Sequence, residues 1–474
     1  MRIDRLRVKN FRGFAEREFE FPQAIDAPES TGSFHVAIGD NAQGKTAMLE
    51  ALSVAMASLT NAFPDAGKRN LHDADVRIVL HQTEETERVE EQLPVEVEAH
   101  GSVFGKHLNW KRQLRNKRTT TALDKNVRDL ADAALAAARN DLNYLMPLVC
   151  YFGTQRLFSQ PKDTLSSDKT TNETLKPTPI MESDTGFAVE KEKAFRSRLA
   201  GYWYANDART SPKLLQRWLM LEQQRAFSKG KETYIFFMVK AALRRCIADC
   251  TGVKVDPLLG LVIDTKQGGR LPFDRLSDGQ RTIAAMVGEL AWRAAQLNPN
   301  LRDDVFKKTP GIVLIDELDM HLHPTWQRRI VEDLRGLFPQ VQFIATTHSP
   351  LVVQSMREGE VIQLDQRMGS IATTENRGLD TIVKGLMVPK EATIDDVTQL
   401  MGVNEPDASK RYGEMKGVAT QLLTLLERIK AATPAERERI KDDVAGVMKE
   451  VRSYSDNPAF QAFLEMRRVA AFGE

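Results

Sequence analysis

Apolar residues alternate with polar ones at the start of the chain. Ile3, Leu6, Val8 and Phe11 are followed by Phe14, Phe19 and Phe21, a period-two pattern that predicts two early strands. Phe34 to Ile38 is largely apolar without alternation, the pattern of a strand covered on both faces, and it leads through a glycine-rich stretch into a helical run from Thr46 to Ala57. Between Leu71 and Arg118 short mixed strands follow, Leu93 to Ala99 being the clearest. Then come an alanine-rich helix over Asp124 to Tyr144 and a buried strand within Pro147 to Phe152. Residues 159–186 are rich in Ser, Thr, Lys, Asp and Pro and too poor in apolar surface to order themselves, which predicts a mobile loop. From Glu190 to Thr251 the period is helical, with Trp203, Leu215, Trp218, Leu219 and Leu221 forming a broad apolar stripe. A second series then sets strands at Val255 to Asp264, Ile312 to Ile315 and Val341 to Thr346 beside helices at Gln280 to Gln296 and Pro324 to Phe338. Short apolar strands separated by helices predict an α/β fold with a mixed or parallel sheet at its core. Helical, charged sequence closes the chain, most clearly over Val418 to Lys430 and Ala435 to Ser453. The expected organisation is an N-terminal lobe (1–158), a loop (159–186), an inserted helical lobe (187–253), a C-terminal lobe (254–370) and a helical tail (371–474) for assembly or partner docking.

With 474 residues, 42% of them hydrophobic, the chain can bury large cores, and no run of eighteen uncharged apolar residues predicts a membrane span. Met1 to Phe11 alternates charged and apolar residues and carries no signal-peptide core, so a cytoplasmic protein without a membrane partner is expected. Three cysteines give no disulfide framework. Cys246 and Cys250, at i and i+4, are expected to share one helix face as buried thiols. Lys and Arg number 66 against 65 Asp and Glu, so any nucleic-acid surface has to be local. One stretch qualifies: Trp110 to Arg118 holds Lys111, Arg112, Arg115, Lys117 and Arg118 without an acid, and reads either as a track for a phosphate backbone or as a solvated hairpin tip.

Gly39-Asp40-Asn41-Ala42-Gln43-Gly44-Lys45-Thr46 fits the P-loop pattern in the context it needs, between a strand and a helix. Backbone amides around Asn41 and Gly44 would cradle phosphate oxygens at the helix N-terminus. Lys45 would reach the β and γ phosphates as a point charge, and the Thr46 hydroxyl would ligate magnesium. Gly311 to Ile315 ends in Asp316-Glu317, two carboxylates at the carboxyl end of a buried strand, where open α/β sheets bind ligands. Asp316 would hold the metal and Glu317 would polarise the attacking water as general base. Leu276-Ser277-Asp278-Gly279-Gln280 is a capping box at the head of a long helix and, by the same geometry, an anion site. His348 follows the third apolar strand and could bond a γ-phosphate. The His321-x-His323 pair beside Asp319 reads better as a packed junction than as a metal site, with Pro324 suited to a first helical turn.

Together these four motifs follow the order and rough spacing of the ABC-type ATPases: Walker A, signature, Walker B and switch histidine. Asn10-Phe11-Arg12-Gly13-Phe14, Asp316 to Pro324 and Thr346 to Pro350 resemble the RecF, SMC and OLD branch, closest to the stand-alone bacterial ATP-binding proteins of Septu and retron anti-phage defence. The resemblance covers residues 1 to about 365 by motif order. It implies an ABC-type P-loop ATPase head using ATP and Mg2+, and a head-to-tail dimer or higher homo-oligomer that sandwiches two ATP molecules. Ser277, Gly279 and Gln280 of one subunit would then complete the site on the other, Asp319 would sit in the loop joining the sites, and Arg12 would contact nucleotide. Asp278 stands where the commoner signature has glycine, adding a negative charge near phosphate. The 126 residues after His348 are too short and too helical for the TOPRIM nuclease domain of the OLD branch, and no sustained heptads mark an SMC coiled coil. The chain is therefore expected to be an ATPase that regulates a separate effector, such as an HNH nuclease, in phage defence. The alternatives are a RecF-like ATPase clamping DNA and, with less support from the motifs, a transporter subunit.

Overall fold

Strand Leu148–Phe152 carries five buried residues in a row, as do Phe34–Ile38 and Gly311–Ile315, while Val341–Thr346 carries six. Such strands have no wet face, so they must be covered on both sides. They form the centre of a six-stranded sheet in the order Gly385–Leu386, Val361–Gln363, Phe34–Ile38, Val341–Thr346, Gly311–Ile315, Leu148–Phe152, parallel except for the first. The computed structural model describes residues 1–364 other than 24–31, 40–42, 64–65, 67, 83–86, 117–118, 121–123, 155–196, 209–211, 248–249, 257–258 and 267–268. Beyond these it describes only 371–372, 382–383, 385–386, 424–425, 443–444 and 446–447.

The two early strands are Arg2–Phe11 and Phe14–Glu20, and they belong to a second six-stranded sheet. Its antiparallel body adds Val95–Val103 and Lys106–Asn116, and here the alternation of the sequence becomes one buried and one wet face. The helix Lys45–Thr60 packs between the two sheets. That position explains its largely apolar and small-residue sequence: thirteen of its residues are buried, and Thr46, Ala47 and Glu50 alone are not. Trp110 of the antiparallel sheet donates its indole N–H to the carbonyl of Ala55 at 3.0 Å, and Asn206 donates to that of Ser53 at 2.7 Å. Gln342 ties the sheets directly. Its side-chain amide accepts from Ile3 N–H at 2.9 Å and donates to Ile3 C=O at 2.7 Å, standing in for a strand partner.

The chain forms two compact units, Met1–Gly402 and Val403–Glu474. In the second, residues 424–425, 443–444 and 446–447 are helical. The remainder of the helices expected at Val418 to Lys430 and Ala435 to Ser453, and the loop expected at 159–186, lie outside the described residues. In the first unit, helices Pro212–Lys229 and Tyr234–Cys246 bury the expected stripe at Leu215, Trp218 and Leu219 against helix Asp278–Leu297, with the Trp218 and Trp292 rings 6.0 Å apart. On this last helix Glu289 and Arg293 form a fully covered ion pair at 2.6 Å, and Arg293 also donates to Gly201 C=O at 2.7 Å. Burial pushes the Glu289 carboxyl up against the opposing pull of Arg293.

Five expectations change. The strand expected at Val255 to Asp264 is a hairpin, Cys250–Asp256 against Gly260–Thr265, because the apolar run spans a turn where Gly260 takes φ +70°. Cys246 ends a helix and Cys250 begins a strand, so the two thiols do not share a helix face. The helix expected at Pro324 to Phe338 is two, Pro324–Gln327 and Ile330–Leu337, and the alanine-rich helix stops at Asn140. Lastly, in the basic stretch Lys111, Arg112 and Arg115 lie along one strand, Lys106–Asn116, and split between its faces. Arg112 points inward, buried with Trp110 and Leu114, and bonds Asn70 at 2.9 Å, while Lys111 points outward onto Glu96 at 2.7 Å. Lys117 and Arg118 lie outside the described residues.

His35, in the parallel sheet, is fully covered and donates Nε2–H to Pro22 C=O at 2.8 Å. Burial lowers its imidazole to about 4, with Arg2 and Arg335 adding like charge against protonation. The unfolded chain takes up this proton near the ordinary value of about 6.5. The stabilising contribution is therefore complete above that pH and is lost as pH falls toward 4. Thermal melts from pH 7.5 to 5 should show a falling Tm whose slope is shallower in His35→Gln; equal slopes would refute this assignment.

Candidate active site

Three strands end side by side, and their carboxyl ends carry the chemistry. After Phe34–Ile38 the chain passes through 40–42, outside the described residues and including Asn41, and enters the helix at Gly44. Gly44 caps that helix at φ 89°, a left-handed conformation that a side chain would disfavour. Lys45 follows, buried, with Nζ donating to Gly39 C=O at 2.6 Å. The Thr46 hydroxyl donates to Asp316 Oδ2 at 3.0 Å. Asp316 is 3% exposed, and its Oδ1 accepts from the Thr346 hydroxyl at 2.6 Å. This hydroxyl–carboxylate pair at a P-loop is an all-oxygen donor set of the kind Mg2+ prefers, so the residues present fit that ion. Bound there, it would neutralise charge on the β and γ phosphate oxygens.

Glu317 sits at φ +48°, an uncommon setting for a residue with a side chain. Its amide donates to Thr346 Oγ1 at 2.8 Å, and the next amide, of Leu318, donates to Thr346 C=O at 2.8 Å. Asp319 accepts from the Thr347 hydroxyl and, at 3.2 Å, from the amide of His348, whose own ring is exposed. The structure thus brings Thr46 onto Asp316, with Lys45 and Glu317 their neighbours in sequence, and binds Asp319 to the His348 backbone.

Ser277 caps the helix Asp278–Leu297 in the expected capping box: Gln280 N–H donates to Ser277 Oγ at 3.3 Å, and Ser277 N–H to Gln280 Oε1 at 3.2 Å. Ser277 and Asp278 are exposed, whereas Gly279 is buried. A Cβ on Gly279 would lie 2.6 Å from His321 C=O and 2.8 Å from the Trp326 ring, so the glycine seats the signature turn on the loop after Asp319. Asp278 is paired with Arg281, whose hydrogen bond and charge hold its carboxyl below the ordinary range. His323 accepts from Thr325 N–H as the cap of a short helix, and the described residues contain no cluster of metal-ligating side chains.

Arg12 lies in a network that spacing alone did not reveal. Its guanidinium meets Asp75 at 3.2 Å and Glu50 at 3.6 Å, Arg69 meets the same two carboxylates at 3.0 Å each, and Tyr151 OH donates to Glu50 at 3.3 Å. Burial pushes the Asp75 carboxyl up, but Arg69, with His72 and Arg12, outweighs it and holds the group below its usual value. Glu50 is one helical turn beyond Thr46, the only spacing signal available; Arg69 and Asp75, the latter in the short 3-10 helix Asp73–Asp75, carry none.

Two family profiles cover most of this architecture in succession. Residues 5–224 match an AAA domain, and residues 247–354 match the family described as "AAA domain, putative AbiEii toxin, Type IV TA system". Among curated proteins, the chain is 24% identical to the "Retron Vc95 probable ATPase" of Vibrio cholerae, over 78% of this chain and 76% of that one. The chain is an ATPase. Its homologues are retron ATPases and Septu proteins, consistent with the RecF, SMC and OLD branch. The ATPase is also 44% identical to the "Retron Ec83 probable ATPase" of Escherichia coli and to "Septu protein PtuA" of Bacillus mycoides. These two matches are local, spanning 21% and 19% of this chain and only 18% and 12% of those proteins. Among solved structures it is similar to the "SMC head domain from Thermotoga maritima", at 13% identity and TM-score 0.39 over 77% of this chain and 94% of that one. Among the described residues no helix is long and apolar enough to cross a membrane.

Proposed function

We propose that the ATPase binds Mg-ATP at Lys45, Thr46 and Asp316, closes into a head-to-tail dimer around two nucleotides, and thereby controls an associated effector in anti-phage defence. The observation that carries the reading is the assembled half-site, with the hydroxyl of Thr46 3.0 Å from buried Asp316 and Glu317 next in sequence. Glu317 polarises the attacking water, and His348, exposed on the neighbouring strand end, bonds the γ-phosphate. The signature turn supports the dimer: its Ser277 hydroxyl and helix N-terminus face solvent, available to a phosphate supplied by a second copy. Kinship with retron and Septu proteins supports the defence role, and a nuclease such as an HNH protein is the effector class it suggests. In the antiparallel sheet the outward cations lie opposite carboxylates, with Arg7 across from Glu18 and Glu98, and Lys9 across from Glu16 and Glu96. This pattern weakens the DNA-clamping alternative, which needs an unmatched basic stripe.

Complementation tests the composite site. Lys45→Ala should abolish ATP binding and turnover, and Ser277→Arg should bind ATP but not hydrolyse it. Random mixing of the two inactive chains places one complete site in each mixed dimer, so turnover should return to roughly a quarter of the wild-type level. A mixture as inactive as its components would sink the head-to-tail site. Affinity capture of the native protein that returns no companion protein would count against the effector.

A further inference from the structure

Thr346 ends the strand Val341–Thr346 and is 1% exposed. Three consecutive residues of the neighbouring strand end are held by it. Its hydroxyl donates to Asp316 Oδ1 at 2.6 Å and accepts from Glu317 N–H at 2.8 Å, while its carbonyl accepts from Leu318 N–H at 2.8 Å. A hydroxyl has one proton and two lone pairs, so donating to the Asp316 carboxylate leaves it able to accept from the amide of Glu317, the proposed base. That amide belongs to the residue at φ +48°, a strained conformation that persists only where the surroundings fix it.

We propose that Thr346 is a positioning residue of the ATPase, setting the Asp316 carboxylate toward the metal and the Glu317 side chain toward the water through one hydroxyl. The inference rests on the roles given above to Asp316 and Glu317. Valine has nearly the shape of threonine but neither donor nor acceptor. Without the hydroxyl, the Asp316 carboxylate loses the bond at Oδ1 that helps to hold Oδ2 toward Thr46, and the Glu317 amide loses the bond that sustains its turn. Serine keeps the hydroxyl and drops only the methyl group.

The test uses the full chain and two readouts: steady-state turnover, and the magnesium concentration giving half of the ATP-dependent rise in melting temperature. In T346V, kcat should fall about 10²-fold, the loss expected of a displacement near 1 Å, with KM for ATP little changed. Its magnesium midpoint should rise several-fold, and T346S should restore both quantities. Wild-type turnover and midpoint in T346V would overturn the proposal; so would T346S failing as badly as T346V, which would assign the effect to packing of the methyl group. If T346V does not fold, T346C, with its weaker donor, should give an intermediate kcat at unchanged KM, and wild-type turnover there would equally overturn it. Normal turnover in Lys45→Ala would bring down the nucleotide site itself, a result distinct from any of these.

Discussion

Glu317→Gln should retain ATP binding and lose about 10² to 10⁴ in turnover, the usual range when a general base is removed. The substitution keeps the size and the amide contact of residue 317, since that contact uses the backbone N–H held by Thr346. It leaves Asp316 and Thr46 untouched, so nucleotide and metal should still bind. Because hydrolysis is what would release the sandwich, the variant should also accumulate as an ATP-dependent dimer, measurable as a doubling of mass by light scattering on ATP addition. Single-turnover kinetics separate the outcomes. A loss below about tenfold would reassign the base to another residue. Full loss of turnover with an unchanged monomeric mass would retain the base and remove the sandwich.

Removing one partner of the Glu289–Arg293 pair should produce the largest stability effect. Both side chains are covered, on a helix that packs against Leu215 and Trp218 on one side and near Gly201 on the other. Breaking such a pair leaves an uncompensated buried charge and costs about 3–5 kcal/mol. Glu289→Ala should therefore shift the denaturant midpoint strongly downward. Replacing both residues, as in Glu289→Leu with Arg293→Met, should recover much of the loss, because apolar groups of similar volume often match a buried pair. A midpoint shift in Glu289→Ala equivalent to under about 1 kcal/mol would show the charge to be solvated in the native state. Since this helix begins at Ser277, the single variant should also loosen the signature turn, visible as faster amide exchange at its first residues.

What the sequence made legible follows from how each signal arises. Ile312 to Ile315 and Val341 to Thr346 were readable because strands covered on both faces leave unbroken apolar runs with sharp ends, and the acids and histidine beyond those ends mark the site. The hairpin within 250–265 was not, because Val255 and Leu261 to Ile263 lie on either side of a turn that is itself apolar. Glu289 and Arg293, spaced i and i+4, look like a solvated surface pair; only the packing above them makes them internal. In the basic stretch, alternation alone separates inward Arg112 from outward Lys111, yet a count of charge hides it. Thr346 stood in the sequence only as the last residue of a strand and the first of the Thr346 to Pro350 motif, and its role had no signal, since a hydroxyl at a strand end becomes meaningful only when its neighbours in space are known.

The helix that follows the P-loop opens to water only at Thr46, Ala47 and Glu50, all within its first six residues. From there on it is a rod embedded between two walls, with no wet side to yield. Polar change is thus tolerated at one end alone, where Thr46 meets Asp316 and Glu50 meets Arg12, and any displacement begun there has to be shared by both walls at once.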